Sequence, residues 1–468
     1  MYQLEPVYCT PQQDEGVVLW RQGVFRDLQS PGLGADLAEF AKAMRTVRNR
    51  LHLADELRHE LQKQRWFLDA ATAYCDAAEG LAGALAQRDL VSPAMRTMRD
   101  WLSDYTASAT FRTLRSEVDA VCCALSEITY CLRIKGGRVE VSTYQGQDDY
   151  SDEVLASFER FKQGPVKDYA GPKYEVAAMN HVEEKIIDLV AALHRDRFDM
   201  LHDFTIDHRQ FLDPTVANLE REIQFFGAYR AYVDTIASPE LTFCLPTVSA
   251  TSKAISAAGT FDLVLAAKLV RERRSPVPND IFLTGQERML VVTGPNQGGK
   301  TTLCRAFGQL HYLAALGCPV PGRSAKLFLA DQILTHFERE EDLTTLSGKL
   351  QDDLVRVRAI LAQATPNSIV LLNEIFTSTS LADAVVLGIR VLDKLIELDV
   401  LGVCVTFVDE WASLGAATVS MVAAVDPGDP TRRTFKVLRR PADGRSHAMA
   451  LASKHGLTYE ALLDRLAS

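Results

Sequence analysis

Residues 291–302 read Val-Val-Thr-Gly-Pro-Asn-Gln-Gly-Gly-Lys-Thr-Thr, and this stretch decides the fold of the 468-residue chain. The apolar, β-branched run from Met289 to Val292 predicts a buried strand. Gly294 to Thr301 matches the spacing G-x-x-x-x-G-K-[ST], which is typical of a phosphate-binding loop (P-loop) between a strand and a helix. Both flanking patterns are present, so the sequence predicts a P-loop here.

The residue types in this loop fit the chemistry of a nucleotide site. Glycines let the backbone pass close to phosphate, and the freed N–H groups and the following helix N-terminus face the anion. Lys300 can reach the β- and γ-phosphates, and Thr301 can place its hydroxyl on Mg²⁺. We therefore predict ATP and Mg²⁺ as cofactors. The candidate nucleotide-binding residues of the loop are Gly294, Pro295, Asn296, Gln297, Gly298, Gly299, Lys300, Thr301 and Thr302.

A second apolar strand, 368–373, ends in the pair Asn373-Glu374, about seventy residues after the loop. P-loop ATPases place their magnesium-side strand in this part of the chain. The pair is usually Asp-Glu, in which the Asp holds hydrated magnesium and the Glu orients or activates water. Asn373 keeps an oxygen acceptor but adds no charge, so we expect weaker metal binding. Glu374 keeps the position of the base, and Thr301 and Asn373 are the predicted metal ligands.

The composition limits the possible classes of function. The net charge of −10 argues against a wholly basic nucleic-acid coat, so any nucleic-acid contact must be a local patch. The nine cysteines include no C-x-x-C pair and are typical of small buried residues in a reducing compartment. The N-terminus lacks the features of a signal peptide, and no apolar run reaches membrane-spanning length. We therefore expect a soluble cytoplasmic protein with no membrane partner.

Changes in periodicity predict three segments. Residues 1–34 contain several prolines and glycines and are expected to be irregular. Residues 35–239 have apolar positions at threes and fours, which predicts a helical core or lever domain, with a small β-hairpin at 132–142. Residues 240–468 alternate short apolar strands with helices, which indicates a parallel sheet covered by helices. The predicted class is α+β multidomain, with an all-α N-terminal region followed by an α/β domain.

The same patterns predict individual elements. The helices expected before residue 240 are one from Ala35, 62–88, one from Ser92-Pro93, 110–132, 151–162, 174–199 and one from Pro214. The strands and helices expected after it are 288–293, 301–316, 327–335, 347–363, 368–373, 381–397, 401–408, 419–425, 433–438, 446–455 and 458–466.

The two nucleotide motifs carry a specific resemblance. Gly-Pro-Asn-Gln-Gly-Gly-Lys-Thr-Thr at 294–302 resembles the P-loop of the MutS family of DNA mismatch-repair ATPases, Gly-Pro-Asn-x-Gly-Gly-Lys-[ST]-[ST]. Residues 372–380, Leu-Asn-Glu-Ile-Phe-Thr-Ser-Thr-Ser, are similar to the Asp-Glu-x-x-x-Gly-Thr-[ST] stretch of that family. The resemblance covers residues 240–468. It implies a P-loop ATPase domain of the ABC type that works as a head-to-tail homodimer.

Three weaker matches extend the resemblance. Residues 342–353 resemble the signature loop, whose serine, here Ser347, reaches across the dimer to the partner's γ-phosphate. Residues 277–280 resemble the segment that lines the adenine pocket, and residues 446–452 resemble the small-residue helix near the C-terminus. By this resemblance Val277 and Asn279 join the nucleotide-binding residues, and the catalytic residues are Lys300, Glu374 and Ser347.

The chain also departs from the family pattern. Asn373 replaces the usual acidic residue, and Asp409-Glu410 follows a strand that ends in Thr-His in the family. Asp352 or Asp353 stands where a Glu is usual after the signature serine. The Phe-x-Glu triplet that stacks on a mismatched base occurs nowhere in the sequence. We therefore expect a short form without the mismatch-recognition and connector domains and without a nuclease-like C-terminal extension.

These observations favour a MutS-like ATPase whose nucleotide-driven dimer switch is coupled to DNA held by the helical levers. By resemblance the DNA is branched or a recombination intermediate, in DNA repair or recombination, and not a mismatch. The basic clusters at 271–274, 432–433 and 439–440 support DNA only weakly, because such runs are more often solvated surface. Two alternatives stay open: a nucleotide-gated clamp with little ATP turnover, or an interaction protein whose lever arms hold another protein.

Overall fold

The computed structural model describes residues 4–135, 138–148, 150, 153, 179–337, 348–429 and 432–442. The chain divides into two compact units. One unit comprises Met1–Leu28, Ser92–Ala94 and Phe225–Ser468, and the other comprises Gln29–Val91 and Met95–Gln224. One division point falls inside the helix Pro214–Asp234, and the predicted boundary near residue 240 stays a prediction.

Helices dominate the chain before residue 240. In order they are α1 (Glu5–Tyr8), α2 (Glu15–Asp27), α3 (Leu33–Glu56), α4 (Glu60–Ala86), α5 (Pro93–Ala107), α6 (Ala109–Ser126), α7 (His181–Leu193), α8 (Arg195–Asp207) and α9 (Pro214–Asp234). Strands β1 (Tyr130–Lys135) and β2 (Arg138–Thr143) form an antiparallel pair where the sequence predicts a hairpin. The predicted helix 151–162 lies outside the described residues apart from residue 153. Along the described ranges, none of the helices combines the length and the apolar character needed to cross a bilayer.

The N-terminal segment corrects one prediction. Residues 1–34 are expected to be irregular, yet the structure forms α1 and α2 there. Pro6 lies in the first turn of α1, where its missing N–H has no helical partner to lose. Asp14 caps α2 by accepting a backbone N–H at 2.7 Å, and Val18 and Phe25 are buried. The prolines and glycines of this segment therefore do not mark an irregular chain, because helices begin beside them.

The unit that comprises Gln29–Val91 and Met95–Gln224 is called the helical unit below. In it, α3 and α4 pack against each other. Phe40 and Met44 of α3 are four residues apart and both buried, which is the spacing of an apolar helix face. The buried carboxylate of Glu220 on α9 accepts hydrogen bonds from Arg48 and Gln224. Pairing of this kind offsets the cost of removing a charge from water.

The chain after residue 240 alternates strands and helices. The strands are β3 (Phe243–Cys244), β4 (Thr247–Ser249), β5 (Ile255–Thr260), β6 (Asn279–Leu283), β7 (Met289–Thr293), β8 (Val320–Pro321), β9 (Ser324–Phe328), β10 (Ile333–His336), β11 (Ile369–Asn373), β12 (Leu401–Val405), β13 (Thr418–Val425) and β14 (Arg433–Arg439). The helices are α10 (Leu263–Arg271), α11 (Lys300–Ala315), α12 (Lys349–Gln363) and α13 (Leu381–Glu397), with a 3₁₀ turn at Asp409–Ser413. The single predicted element 327–335 is wrong, because the structure divides it between β9 and β10 in different sheets. The helices predicted at 446–455 and 458–466 lie outside the described residues.

A six-stranded sheet organises this unit, with strand order β10-β11-β12-β7-β13-β14. The first five strands run parallel, and β14 pairs antiparallel with β13. Every residue of β7, β11 and β12 is buried, as expected for strands covered on both faces. The predicted α+β class is confirmed at the level of a chain that mixes helices and sheets.

Two apolar cores cover the faces of this sheet. On one face, Leu303, Phe307 and Leu310 of α11 belong to a cluster with residues of β7, β11 and β12. On the other face, residues of α12 and α13 cluster with Trp411. Because parallel strands point the same way, the loops after β7 and β11 leave the sheet at the same edge. This edge carries the candidate site.

Gly388 on α13 provides a test of the second core. A Cβ on Gly388 would lie 1.8 Å from Cζ2 of Trp411, whose side chain is fully buried. We predict that Gly388→Ala lowers the free energy of unfolding by about 1–3 kcal/mol, because the indole must move. The matched control is Gly227→Ala, since Gly227 lies in α9, is exposed and would have nothing within 4 Å of its Cβ. Chemical denaturation measures both variants, and equal stabilities would contradict this packing.

Candidate functional site

The glycine-rich loop, residues 294–299, connects the end of β7 to the start of α11. Gly294, Gln297 and Gly299 have positive φ angles of 112°, 60° and 95°. Glycine reaches this region without the steric cost of a side chain, whereas a glutamine there is uncommon. Gly299 is the N-cap of α11, so the N–H groups of the first helical turn lie at the loop. This backbone shape suits an anion.

The loop also packs closely against β13. A Cβ on Gly294 would lie 3.0 Å from the carbonyl oxygen of Ala423, and one on Gly298 would lie 2.9 Å from the Cβ of Ala423. Side chains at these positions would therefore push the loop away from the strand. Gly294 and Gly298 are needed for close approach of two backbones, in addition to any role toward a ligand.

Lys300 is the first residue of α11 and is buried, with 4% of the residue exposed. Its ammonium donates hydrogen bonds to Gly294 O at 2.8 Å and to Asn296 Oδ1 at 3.2 Å, and it lies 4.0 Å from Glu374 Oε1. Burial lowers the pKa of Lys300 below its usual value; Glu374 opposes the shift and Arg433 adds to it. The structure therefore brings together a loop cation and a strand-end carboxylate that are far apart in sequence.

The end of β11 forms an unusual turn. Glu374 and Phe376 have positive φ angles of 52° and 59°, which are uncommon for residues with side chains. The N–H of Glu374 donates to Val405 O at 2.9 Å, so the turn is tied to β12. Backbone strain of this kind is found at functional sites, where the surroundings hold it in place.

Asn373 Oδ1 is buried and has no hydrogen-bond partner among the described residues. An acceptor left in this state costs free energy unless a ligand or water satisfies it. Hydrated Mg²⁺ prefers oxygen ligands and retains waters that can donate to such an oxygen. The strand end therefore fits Mg²⁺, with one negative charge fewer than a carboxylate would supply.

Asp353 on α12 is hydrogen-bonded to the turn after β11. Its Oδ2 accepts the N–H of Phe376 at 3.2 Å, and its Oδ1 lies 3.1 Å from Nε2 of His336 on β10. Both side chains are buried. Burial lowers the pKa of His336, and the positive charge of Arg356 lowers it further, although Asp353 opposes the shift. Asp353 thus links β10, α12 and the turn that carries Glu374.

A cavity of about 190 Å³ opens beside the start of α11. Its lining includes Gly299, Thr302, Val277, Asn279 and Phe435. Its size and mixed lining suit part of a planar base. The Asn279 amide is already engaged, because it donates to Val277 O and Phe435 O and accepts the N–H of Val437. Asn279 therefore shapes the cavity by tying β6 to β14.

The remaining predicted residues differ in their surroundings. Pro295 is buried, and its carbonyl accepts the N–H of Gly298 at 3.2 Å. Asn296 is exposed, and Thr301 is half-buried on the first turn of α11. Ser347 and the first half of the predicted signature loop, residues 342–347, lie outside the described residues, so that assignment stays a prediction.

Comparison with known proteins gives the context of this geometry. The family pattern of MutS domain V matches residues 290–453. This range contains the glycine-rich loop and the end of β11. Residues 290–453 of this chain are therefore similar to MutS domain V.

Individual relatives agree with this placement. The chain is similar to the DNA mismatch repair protein MutS of Shouchella clausii, at 32% identity over 210 residues, which is 42% of this chain and 24% of that protein. It is similar to the Endonuclease MutS2 of Thermomicrobium roseum, at 32% identity over 198 residues, or 41% of this chain and 24% of the relative. The MutS of Petrotoga mobilis is 26% identical over 225 residues. The chain thus spans about a quarter of the length of these relatives.

Several residues of the candidate site are not predicted by the sequence. Ala423 and Phe435 approach the loop from β13 and β14, and Asp353 holds the turn after β11. Arg433 donates to Asn296 O at 3.2 Å, although the sequence analysis grouped it with a surface basic cluster. The signal for Asp353 was its place after the signature serine. The other contacts depend on strand pairing far along the chain and leave no local pattern.

Asp353 gives a prediction about the candidate site. Asp353→Ala leaves the buried N–H of Phe376 without its acceptor, so we expect a loss of about 1–3 kcal/mol in unfolding free energy. Asp353→Asn keeps an acceptor oxygen and should recover most of that loss.

Asp352→Ala is the control, because it removes the same charge one residue away. Chemical denaturation measures the unfolding free energy of all three variants. An Asp353→Ala variant as stable as Asp352→Ala contradicts the role of Asp353 in holding the turn.

Proposed function

We propose that the region similar to MutS domain V binds ATP with Mg²⁺ and hydrolyses it. The observation that carries this proposal is the 4.0 Å approach of Lys300 Nζ to Glu374 Oε1 at the edge of the parallel sheet. A phosphate-binding cation and a base beside it are the two parts that hydrolysis of a nucleotide requires. The loop glycines and the N-terminus of α11 supply the remaining contacts.

Binding begins with the exchange of hydrogen bonds around Lys300. Its ammonium now donates to Gly294 O and Asn296 Oδ1, and phosphate oxygens replace these acceptors. The first-turn N–H groups of α11 bind phosphate oxygens as well, because the helix N-terminus favours negative charge. The cavity lined by Val277 and Phe435 takes the base, and Asn279 keeps that cavity in shape.

Hydrolysis depends on Glu374. The Glu374 side chain is 32% exposed. Its carboxylate can therefore contact a water molecule and the γ-phosphate at the same time. The tied, strained turn fixes the direction of this side chain. Thr301 and Asn373 are the residues that would hold hydrated Mg²⁺, which neutralises negative charge on the β- and γ-phosphates.

The partners follow from the family resemblance and from the names of the relatives. We infer a homodimer through the ATPase domains, in which Ser347 of one subunit completes the site of the other. We infer DNA as the ligand of the helical unit, in repair or recombination. Sedimentation with and without ATP tests the dimer, and the salt dependence of binding to duplex and branched DNA tests the second inference, since phosphate contacts give a steep slope.

One observation favours a second candidate function. Asn373 contributes no charge where the family pattern has a carboxylate, which weakens the hold on Mg²⁺. A site of this kind could bind ATP and close without rapid turnover. The second candidate is therefore a nucleotide-gated clamp.

Two substitutions test the ATPase. Lys300→Ala should weaken ATP binding strongly, because it removes the loop cation. Glu374→Gln should keep ATP binding and slow the single-turnover rate by about 10²–10⁴-fold, because the amide cannot accept a proton from water. Equilibrium ATP binding and rapid-quench hydrolysis measure the two effects.

Each variant has a matched control. Lys268→Ala removes an exposed lysine of α10, and Glu397→Gln neutralises an exposed carboxylate of α13. Both controls should behave as wild type. ATP binding by Lys300→Ala at wild-type affinity contradicts the phosphate site. ATP binding with no hydrolysis in the wild type supports the clamp instead of the enzyme.

A further inference from the structure

Strand β14 begins beside the glycine-rich loop. β13 runs parallel to β7 and continues past it, since Thr293 at the end of β7 pairs with Val422 of β13. β14 returns antiparallel along β13, with Arg433 opposite Val425 and a register shift between Ala423 and Val425. Arg433, the first residue of β14, therefore lies next to the loop, and its Nε donates to Asn296 O at 3.2 Å.

Two cationic side chains donate hydrogen bonds to the glycine-rich loop. Lys300 donates to the side chain of Asn296, and Arg433 donates to the backbone carbonyl of the same residue. The positive charge of Arg433 lowers the pKa of Lys300, while Glu374 at 4.0 Å opposes that shift. The repulsion between the positive charges of Lys300 and Arg433 is electrostatically unfavourable. A bound polyanion that contacts both side chains would reduce this repulsion.

The other arginines near Arg433 have different partners. Arg432 lies 3.9 Å from a carboxylate oxygen of Asp426. Arg439 forms an ion pair with Glu287 and lies over the ring of Phe282 at 4.5 Å from its centroid. Among the described arginines of β14, Arg433 is therefore the one placed at the loop.

The chemistry of Arg433 suits a phosphate. A guanidinium group is planar, stays protonated and donates along two parallel directions that match phosphate oxygens. Asn373, at the end of β11, supplies no charge to hold a metal. A fixed side-chain cation can provide part of the charge neutralisation that would otherwise depend on the metal ion.

We propose that Arg433 is a second phosphate-binding cation, supplied by the same chain, which contacts the β- or γ-phosphate of the bound nucleotide. The proposal rests on the proposed ATP site and deepens it. It implies that nucleotide phosphates are held in part without Mg²⁺. Arg433 is half-buried and already lies at the loop, where it donates to Asn296 O.

The test is equilibrium binding of ATP, ADP and adenosine to the full chain, in Mg²⁺ and in EDTA. Arg433→Ala should weaken ATP binding by about tenfold or more in EDTA, as expected for loss of a charge-assisted hydrogen bond, and should leave adenosine binding unchanged. Arg433→Lys keeps the charge and should lose less. Arg432→Ala is the matched control and should bind as wild type.

Three results would overturn the proposal: unchanged ATP binding by Arg433→Ala, an equal loss for ATP and adenosine, or an equal loss in Arg432→Ala. An equal loss for ATP and adenosine would show that Arg433 only shapes the loop through Asn296. If Arg433→Ala does not fold, Arg433→Gln decides by the same criteria. A wild-type chain that binds no ATP rejects both this proposal and the ATP site, whereas normal wild-type binding with an unaffected Arg433→Ala rejects Arg433 alone.

Discussion

The parallel arrangement of β7, β12 and β11 is the constraint on which the candidate site depends. β12 lies between the other two strands, and all three end at one edge. This alignment places Lys300 after β7 within 4.0 Å of Glu374 after β11. The glycine-rich loop and the start of α11 hold Lys300 at this edge, and the turn after β11 holds Glu374 there. The cores on both faces of the sheet fix the pairing of the three strands.

Charge at this edge is distributed in an uneven way. Lys300 of α11 and Arg433 of β14 are cations that donate hydrogen bonds to the loop. Glu374 is a partly exposed carboxylate, and Asn373 presents a buried neutral oxygen. The backbone carries further partial positive charge at the start of α11. The strand end thus presents the neutral oxygen of Asn373, while a second cation, Arg433, lies beside the loop. Under our proposal, the protein itself supplies part of the positive charge that holds phosphate.

The sequence alone predicted the parts of this site that are local. The loop spacing, the apolar strand before Glu374 and the alternation after residue 240 each depend on neighbouring residues, and the structure places strands and helices there. The helices α1 and α2 were missed because several prolines and glycines interrupt that segment. Arg433, Ala423 and Asp353 were missed as site residues because strand pairing and tertiary packing bring them in. A local pattern cannot show which strand lies beside a loop when more than a hundred residues separate them.

Hydrogen–deuterium exchange of the full chain, with and without saturating ATP, tests the central claim that this edge binds nucleotide phosphate. Backbone N–H groups of the loop and of the first turn of α11 should exchange more slowly with ATP, because phosphate oxygens accept their hydrogen bonds. Protection at 294–302 and at the turn 373–376, weaker with adenosine, is the predicted result. Unchanged exchange at 294–302 under saturating ATP would contradict the account.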